Sequence, residues 1–215
     1  MRPVQAVAFD FNGTLSHDEP ILYAVYREMF TKRGRPLTES DYYGTLAGLS
    51  EEVIIATWLG VGGDELAALV EERIERYLAL TRHGATVPPA VREAVTYAAD
   101  RVPVAVVSGA FRREIEPVLA GAELDRHVSV LVAADDVERG KPDPEGYLLA
   151  IELLDRGLPP RKVIAFEDTE AGVASARAAG LYCIGVLGTH PPKRLRRADE
   201  LVEALETSVL ERLLA

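Results

Sequence analysis

Five short apolar runs, at residues 4–9, 102–107, 128–133, 163–166 and 182–187, constrain this chain more than any other feature. They are rich in Val, Ile and Ala and lack strict apolar–polar alternation. That is the pattern of a strand covered on both faces. Apolar residues at helical spacing fill the intervals, so the chain reads as repeated βα units building a mostly parallel sheet. Residues 16–83 differ. Ile21, Leu22, Val25, Tyr26 and Met29 share one helical face, and Leu66, Leu69, Val70, Ile74 and Leu78 share another. Gly60-Val61-Gly62-Gly63 separates two helices. A helical insertion over 16–83 is therefore expected, with 1–15 and 84–215 forming the sheet-bearing core. A length of 215 residues suits one domain carrying such an insertion.

Charge narrows the partners. Asp plus Glu is 34 and Lys plus Arg is 24, a net charge of −10. Such a chain repels both a nucleic-acid backbone and an anionic membrane surface, and neither is an expected partner. The densest basic stretch, Lys193, Arg194, Arg196 and Arg197, runs straight into Asp199 and Glu200. A lone cysteine, Cys183, allows no internal disulfide and suits a reducing compartment. The first nine residues are too short and polar for a signal peptide, and no apolar run approaches the ~20 residues of a membrane span. A soluble, cytoplasmic protein is the expectation. The four histidines lack metal-ligand spacing, which disfavours zinc.

In an open parallel sheet, ligands gather at the carboxyl ends of the strands. The first run ends in Asp10-Phe11-Asn12-Gly13-Thr14 and the second in Ser108-Gly109. The third leads through an acidic loop to Arg139-Gly140-Lys141-Pro142, and the fourth ends in Glu167-Asp168. Three carboxylates, a hydroxyl and a lysine would then meet at one sheet edge. That set suits phosphoryl transfer. A carboxylate can serve as nucleophile, carboxylate oxygens suit Mg²⁺, and lysine and hydroxyl groups can hold phosphoryl oxygens. Gly13 and Gly109 let backbone N–H groups approach a phosphate. Singly, the signals are weaker: Glu167-Asp168 also fits a helix N-terminus capped by Thr169. Arg112 and Arg113 read as exposed helix residues pairing with Glu114 or Glu116. Trp58, Tyr42 and Tyr43 read as core more readily than as a cavity lining.

These four segments, in this order, resemble the haloacid dehalogenase superfamily of phosphatases and phosphomutases, over nearly the whole chain. The family pattern DxDGT appears as Asp10-Phe11-Asn12-Gly13-Thr14. Ser108, Gly140-Lys141-Pro142 and Glu167-Asp168 stand for its other three motifs. The insertion resembles the helical cap of the β-phosphoglucomutase and phosphoglycolate phosphatase branch, and Gly48-Leu49-Ser50 resembles its substrate-contacting loop. The resemblance implies a three-layer α/β sandwich with a Rossmann-like sheet. It implies Asp10 as nucleophile and Mg²⁺ ligand, with the Asn12 carbonyl, Glu167 and Asp168 completing the metal site. Ser108, Gly109 and Lys141 would bind the phosphoryl group, and Thr14 would orient the loop after the first strand.

One position departs from the pattern. Asn12 stands where the family has the Asp that protonates the leaving group and activates water. Three readings stay open. The chain is a slow enzyme, or one whose leaving group needs little protonation; or Asn12 is a substitution that traps an intermediate; or the chain binds phosphorylated ligands without turnover. His17, Asp18 and Glu19 are the nearby candidates to replace the missing acid. True 2-haloacid dehalogenases carry Tyr at this position and need no metal. Phosphonatases use a cap lysine, where this chain has Thr45. The expected activity is Mg²⁺-dependent hydrolysis of a small phosphorylated metabolite through an aspartyl phosphate. A β-phosphoglucomutase-type phosphomutase and a non-catalytic phosphate binder are the alternatives. Oligomeric state is not read from the sequence.

Overall fold

The computed structural model describes residues 3–215; Met1 and Arg2, the start of the expected first core segment, lie outside them. All five apolar runs form strands: β1 (Ala6–Phe9), β2 (Val104–Val107), β3 (Val130–Val132), β4 (Val163–Glu167) and β5 (Tyr182–Val186). A sixth strand, β6 (Glu200–Val202), closes one edge. Its three residues are half-buried or exposed, so its sequence carries no apolar run to announce it. The sheet order is β3-β2-β1-β4-β5-β6, and every pairing is parallel. This is the doubly wound order, with its switch point beside the central strand β1.

Period-two alternation sorts each strand between two cores. Val7, Phe9, Val104, Val106, Ile164 and Phe166 face one side. Ala6, Ala8, Ala105, Val107, Ala165 and Cys183 face the other. The first side is covered by α5 (Pro89–Ala99), α6 (Arg112–Gly121) and α9 (Thr207–Leu214). The second is covered by α7 (Glu145–Leu154) and α8 (Glu170–Ala178). The result is the expected three-layer sandwich. Small alanines on the second face let α7 and α8 approach the strands closely.

Between β1 and α5 the described residues hold helices and no strand. They are α1 (Glu19–Thr31), α2 (Glu39–Asp41) running into a π-helical turn at Tyr42–Leu46, α3 (Glu51–Leu59) and α4 (Gly63–Thr81). Gly60 ends α3 at φ +73°, a left-handed conformation that glycine adopts without cost. Leu22, Val25, Tyr26 and Met29 of α1 and Leu69, Val70, Ile74 and Tyr77 of α4 are buried in the same core as the first sheet face. The two crossings into and out of this segment run side by side. His17 N–H donates to the Thr86 carbonyl at 2.8 Å, and Ser16 Oγ donates to Thr86 Oγ1 at 2.7 Å. No single helix among the described residues is long and apolar enough to cross a membrane.

Phe9 and Phe166 are register partners on the two central strands, fully buried and stacked with ring centroids 5.2 Å apart. Phe166→Ala should cost about 3–5 kcal/mol of stability in urea unfolding, because the stack leaves a cavity where the sheet cannot collapse. A loss below about 1 kcal/mol would show that these strands do not anchor the core.

Candidate active site

Three adjacent strands, β2, β1 and β4, end at the same edge. Asp10 follows β1, with its N–H bonded to the Phe166 carbonyl of β4 at 2.9 Å. Ser108 follows β2, with its N–H bonded to the Val132 carbonyl at 2.9 Å. Glu167 is the last residue of β4, and Asp168 comes next. Asp10, Glu167 and Asp168 are all buried and offer oxygens within 4.8 Å of one another. Lys141 reaches the same point from the loop before α7. Its Nζ pairs with Asp10, lies 2.6 Å from Glu167 Oε1 and donates to the Val107 carbonyl at 2.9 Å. Asp10, Ser108, Glu167, Asp168 and Lys141 are thus brought together as expected.

The α8 helix starts at Glu170, and Thr169 caps it by accepting from Gly172 N–H at 3.0 Å. Glu167 and Asp168 lie immediately before that cap, so the helix N-terminus expected here is present, and the same two carboxylates also join the cluster with Asp10. Gly172 matters here: a Cβ at this position would run into the Glu167 carboxylate. Gly13 matters equally. It sits at φ +78°, and a Cβ there would run into Asp168.

Electrostatics at this edge follow from burial. Burial opposes the Lys141 charge, but Asp10 and Glu167 outweigh it and hold its pKa above the usual lysine value. Burial, joined by the Asp10 and Glu167 charges, raises Asp168 well above the usual carboxylate range. Glu167 is raised by burial first and drawn back by Lys141. Thr14 Oγ1 donates to Asp168 Oδ1 at 3.0 Å, so Thr14 orients a carboxylate of the cluster. Asp168 Oδ2 is buried with no hydrogen-bond partner. An orphaned carboxylate oxygen among three clustered carboxylates is what a hard divalent cation satisfies, and the donor set fits one.

Asn12 Nδ2 donates to Asp18 Oδ2 at 2.9 Å. Asp18 is fully buried, also accepts from the Tyr77 hydroxyl at 2.5 Å, and is pushed up to about 6 by burial against those hydrogen bonds. Of the three candidate replacements for the missing acid, only Glu19 lines the cavity above Asp10; His17 and Asp18 do not. That cavity measures about 460 Å³. Its floor includes Asp10, Ser108, Gly109 and Lys141, and its roof comes from Leu22, Tyr26, Tyr42 and residues 48–54. Tyr42 is buried and lines the cavity, whereas Trp58 stacks on Phe30 and donates to the Arg35 carbonyl at 3.0 Å.

Sequence reasoning missed several residues here. Tyr147 on α7 donates to Glu167 Oε1 at 2.8 Å. Arg73 on α4 is buried and pairs with Glu51 and Glu114. Arg73 does leave a sequence signal: it lies four residues from both Leu69 and Tyr77, on the apolar face of its helix. The expected partners of Arg112 and Arg113 are corrected in part. Arg112 meets Glu116 at 3.3 Å and Asp136 at 2.6 Å, while Arg113 crosses to Glu71 at 2.5 Å. Glu114 is buried and engaged with Arg73.

Comparison with known proteins agrees with this geometry. A family model for haloacid dehalogenase-like hydrolases matches residues 4–180. The validoxylamine A 7'-phosphate phosphatase of Streptomyces hygroscopicus subsp. limoneus is 34% identical over 92% of this chain and 92% of its own length. The phosphorylated carbohydrates phosphatase of Thermotoga maritima is 32% identical over 83% of this chain and 82% of its own. Among solved structures, CbbY from Rhodobacter sphaeroides in complex with phosphate superposes with a TM-score of 0.83 at 25% identity, over 94% of this chain and 95% of that one. The chain belongs to the haloacid dehalogenase-like hydrolase family, as a phosphoric monoester hydrolase of its phosphoglycolate phosphatase and β-phosphoglucomutase-like branch.

Proposed function

We propose that this chain is a Mg²⁺-dependent phosphatase that acts on a small phosphorylated, carbohydrate-like metabolite, with Asp10 as nucleophile. The observation that carries the reading is the clamp of Lys141 between Asp10 and Glu167, beside the unpartnered Asp168 oxygen. The curated relatives support it, since two are named for phosphorylated sugar-like compounds.

The phosphoryl group lies with its oxygens toward Ser108, the Gly109 backbone and Lys141. An Asp10 oxygen attacks phosphorus, and the bond to the leaving oxygen breaks. Lys141 pairs with Asp10 and offsets charge on the phosphoryl oxygens. Asp10, the Asn12 carbonyl, Glu167 and Asp168 would hold Mg²⁺, which when bound neutralises the crowded oxygens. Water then attacks phosphorus, the bond to Asp10 breaks, and inorganic phosphate leaves. Residues 16–83 act as a cap that excludes bulk water, hinged at the paired crossings near Ser16 and Thr86.

Two proton transfers remain, one to the leaving oxygen and one from the attacking water. Asn12 has no proton to exchange, and its amide is committed to Asp18. Glu19 takes both roles. It begins α1, lines the cavity and accepts from the Tyr42 hydroxyl at 3.0 Å. Burial, with the Asp18 and Asp10 charges, pushes its carboxyl up to about 7, against the Tyr42 hydrogen bond and Arg73. A carboxyl at that value serves as acid and as base near neutral pH.

Phosphate release from a sugar phosphate should require Mg²⁺, stop on EDTA treatment and be absent in Asp10→Asn; metal-independent release, or release by that variant, would sink the reading. Glu19→Gln should lower sugar-phosphate turnover by about 10²–10⁴-fold, yet spare p-nitrophenyl phosphate, whose leaving group needs no proton. Equal losses on both substrates would remove Glu19 from proton transfer. Because the acid form of Glu19 starts the reaction, kcat/KM should fall as pH rises through about 7. That fall should vanish in Glu19→Gln. In the Glu19→Gln background, Asn12→Asp should raise turnover at least about tenfold by restoring a titratable group; an unchanged rate would mean that a carboxyl at this position does not serve the transfer.

A further inference from the structure

A buried ion group in the cavity wall enters the chemistry above only through the charge of Arg73 near Glu19. Arg73 has a side-chain exposure of 3%. Its Nη2 donates to Glu51 Oε1 at 2.8 Å, and its Nη1 pairs with Glu114. The rings of Tyr26 and Tyr77 lie 5.6 Å and 5.3 Å from its guanidinium carbon. Arg73 is the sole cation that the segment between β1 and α5 contributes to the cavity, and the same segment lines that cavity with Glu19, Glu51 and Glu52. Its charge is matched by two carboxylates before any ligand enters. The other distal cation, Arg139, is at the surface and pairs with Asp143 at 3.1 Å and Glu145 at 3.2 Å. A second observation points to a ligand: Glu51 Oε2 is buried, belongs to a cavity-lining residue and has no hydrogen-bond partner.

We propose that this ion group makes the cavity selective for monophosphates of polyhydroxylated or amine-bearing compounds that carry no second anionic group. The inference rests on the phosphatase reading and adds the chemistry of the part of the substrate that is not transferred. Glu51 Oε2 is itself buried, so a hydroxyl or ammonium group meets it once the Glu51 side chain shifts toward the ligand, and it then supplies the proton that this oxygen lacks; a buried acceptor gains most from such a donor. A second phosphate or a carboxylate meets that same oxygen with nothing to donate. It gains no free cation, because drawing Arg73 away leaves Glu51 and Glu114 as uncompensated buried charges.

The test is kcat/KM of the unmodified protein, with Mg²⁺, on five compounds. Glucose 6-phosphate and glucosamine 6-phosphate represent the favoured class, and fructose 1,6-bisphosphate and phosphoglycolate the rejected one. The fifth, p-nitrophenyl phosphate, reports the phosphoryl site alone. At least one of the favoured pair should exceed both rejected compounds by at least about tenfold. Glu51→Gln removes one of the two carboxylates that match Arg73 and should narrow or invert that ratio; a ratio taken within one protein cancels any loss of folded material. If fructose 1,6-bisphosphate or phosphoglycolate equals or exceeds the favoured pair, the inference is overturned while the phosphatase reading stands. Turnover of p-nitrophenyl phosphate without preference among the other four overturns it too. No turnover of any compound would overturn the phosphatase reading, and this inference with it.

Discussion

One ammonium group holds this site together. Asp10, Glu167 and Asp168 are buried within a few ångströms of one another, and like charges at such separations repel by about 4 kcal/mol per pair at an effective dielectric near 20. Lys141 sits between two of them and is anchored on the Val107 carbonyl. It comes from neither β1 nor β4, so the clamp forms only when the loop before α7 is seated. Tyr147 on α7 seats it from one side through Glu167, and Ser175 on α8 holds the loop by donating to the Asp143 carbonyl at 2.6 Å. The small residues of the second sheet face, which let α7 and α8 settle close, therefore bear directly on the chemistry. The Asp168 oxygen that Lys141 does not reach stays without a partner, and it is the natural place for a cation.

The roof of the cavity repeats this logic with the signs exchanged. There a single guanidinium is enclosed by carboxylates. Arg73 on α4 reaches Glu114 on α6, and Arg113 on α6 reaches Glu71 on α4. Both pairs tie the helical segment to the helices of the sheet. The buried pair resists separation, since parting it strands a charge. The exposed one adds little by itself. The same helices thus set how the segment lies over the strand ends and which charges it shows to the cavity.

How much of this was legible in the sequence depended on the range of each interaction. Strands buried on both faces announce themselves locally, as the runs at β1, β2, β4 and β5 did. β6 did not, because an edge strand of Glu, Leu and Val has no such pattern. The motif residues at strand ends were legible because the parallel order brings every carboxyl end to one edge. Contacts between helices were not. Tyr147 meets Glu167 and Arg73 meets Glu114 only after separate segments have packed. Glu19 stands with His17 and Asp18 close to Asn12 in the sequence, but no spacing rule separates it from Asp18 beside it. Burial does: Asp18 faces inward to Asn12 and Tyr77, while Glu19 faces the cavity.

The central claim is that Asp10 carries the phosphoryl group between substrate and water. The most direct measurement is a pulse of substrate labelled in its phosphoryl group, an acid quench within a turnover, and mapping of the labelled peptide. The account predicts acid-stable, base-labile label on the peptide that contains Asp10, chased away by unlabelled substrate as phosphate appears. Label on another residue, or continuing phosphate release with no label on the Asp10 peptide at any quench time, would contradict it.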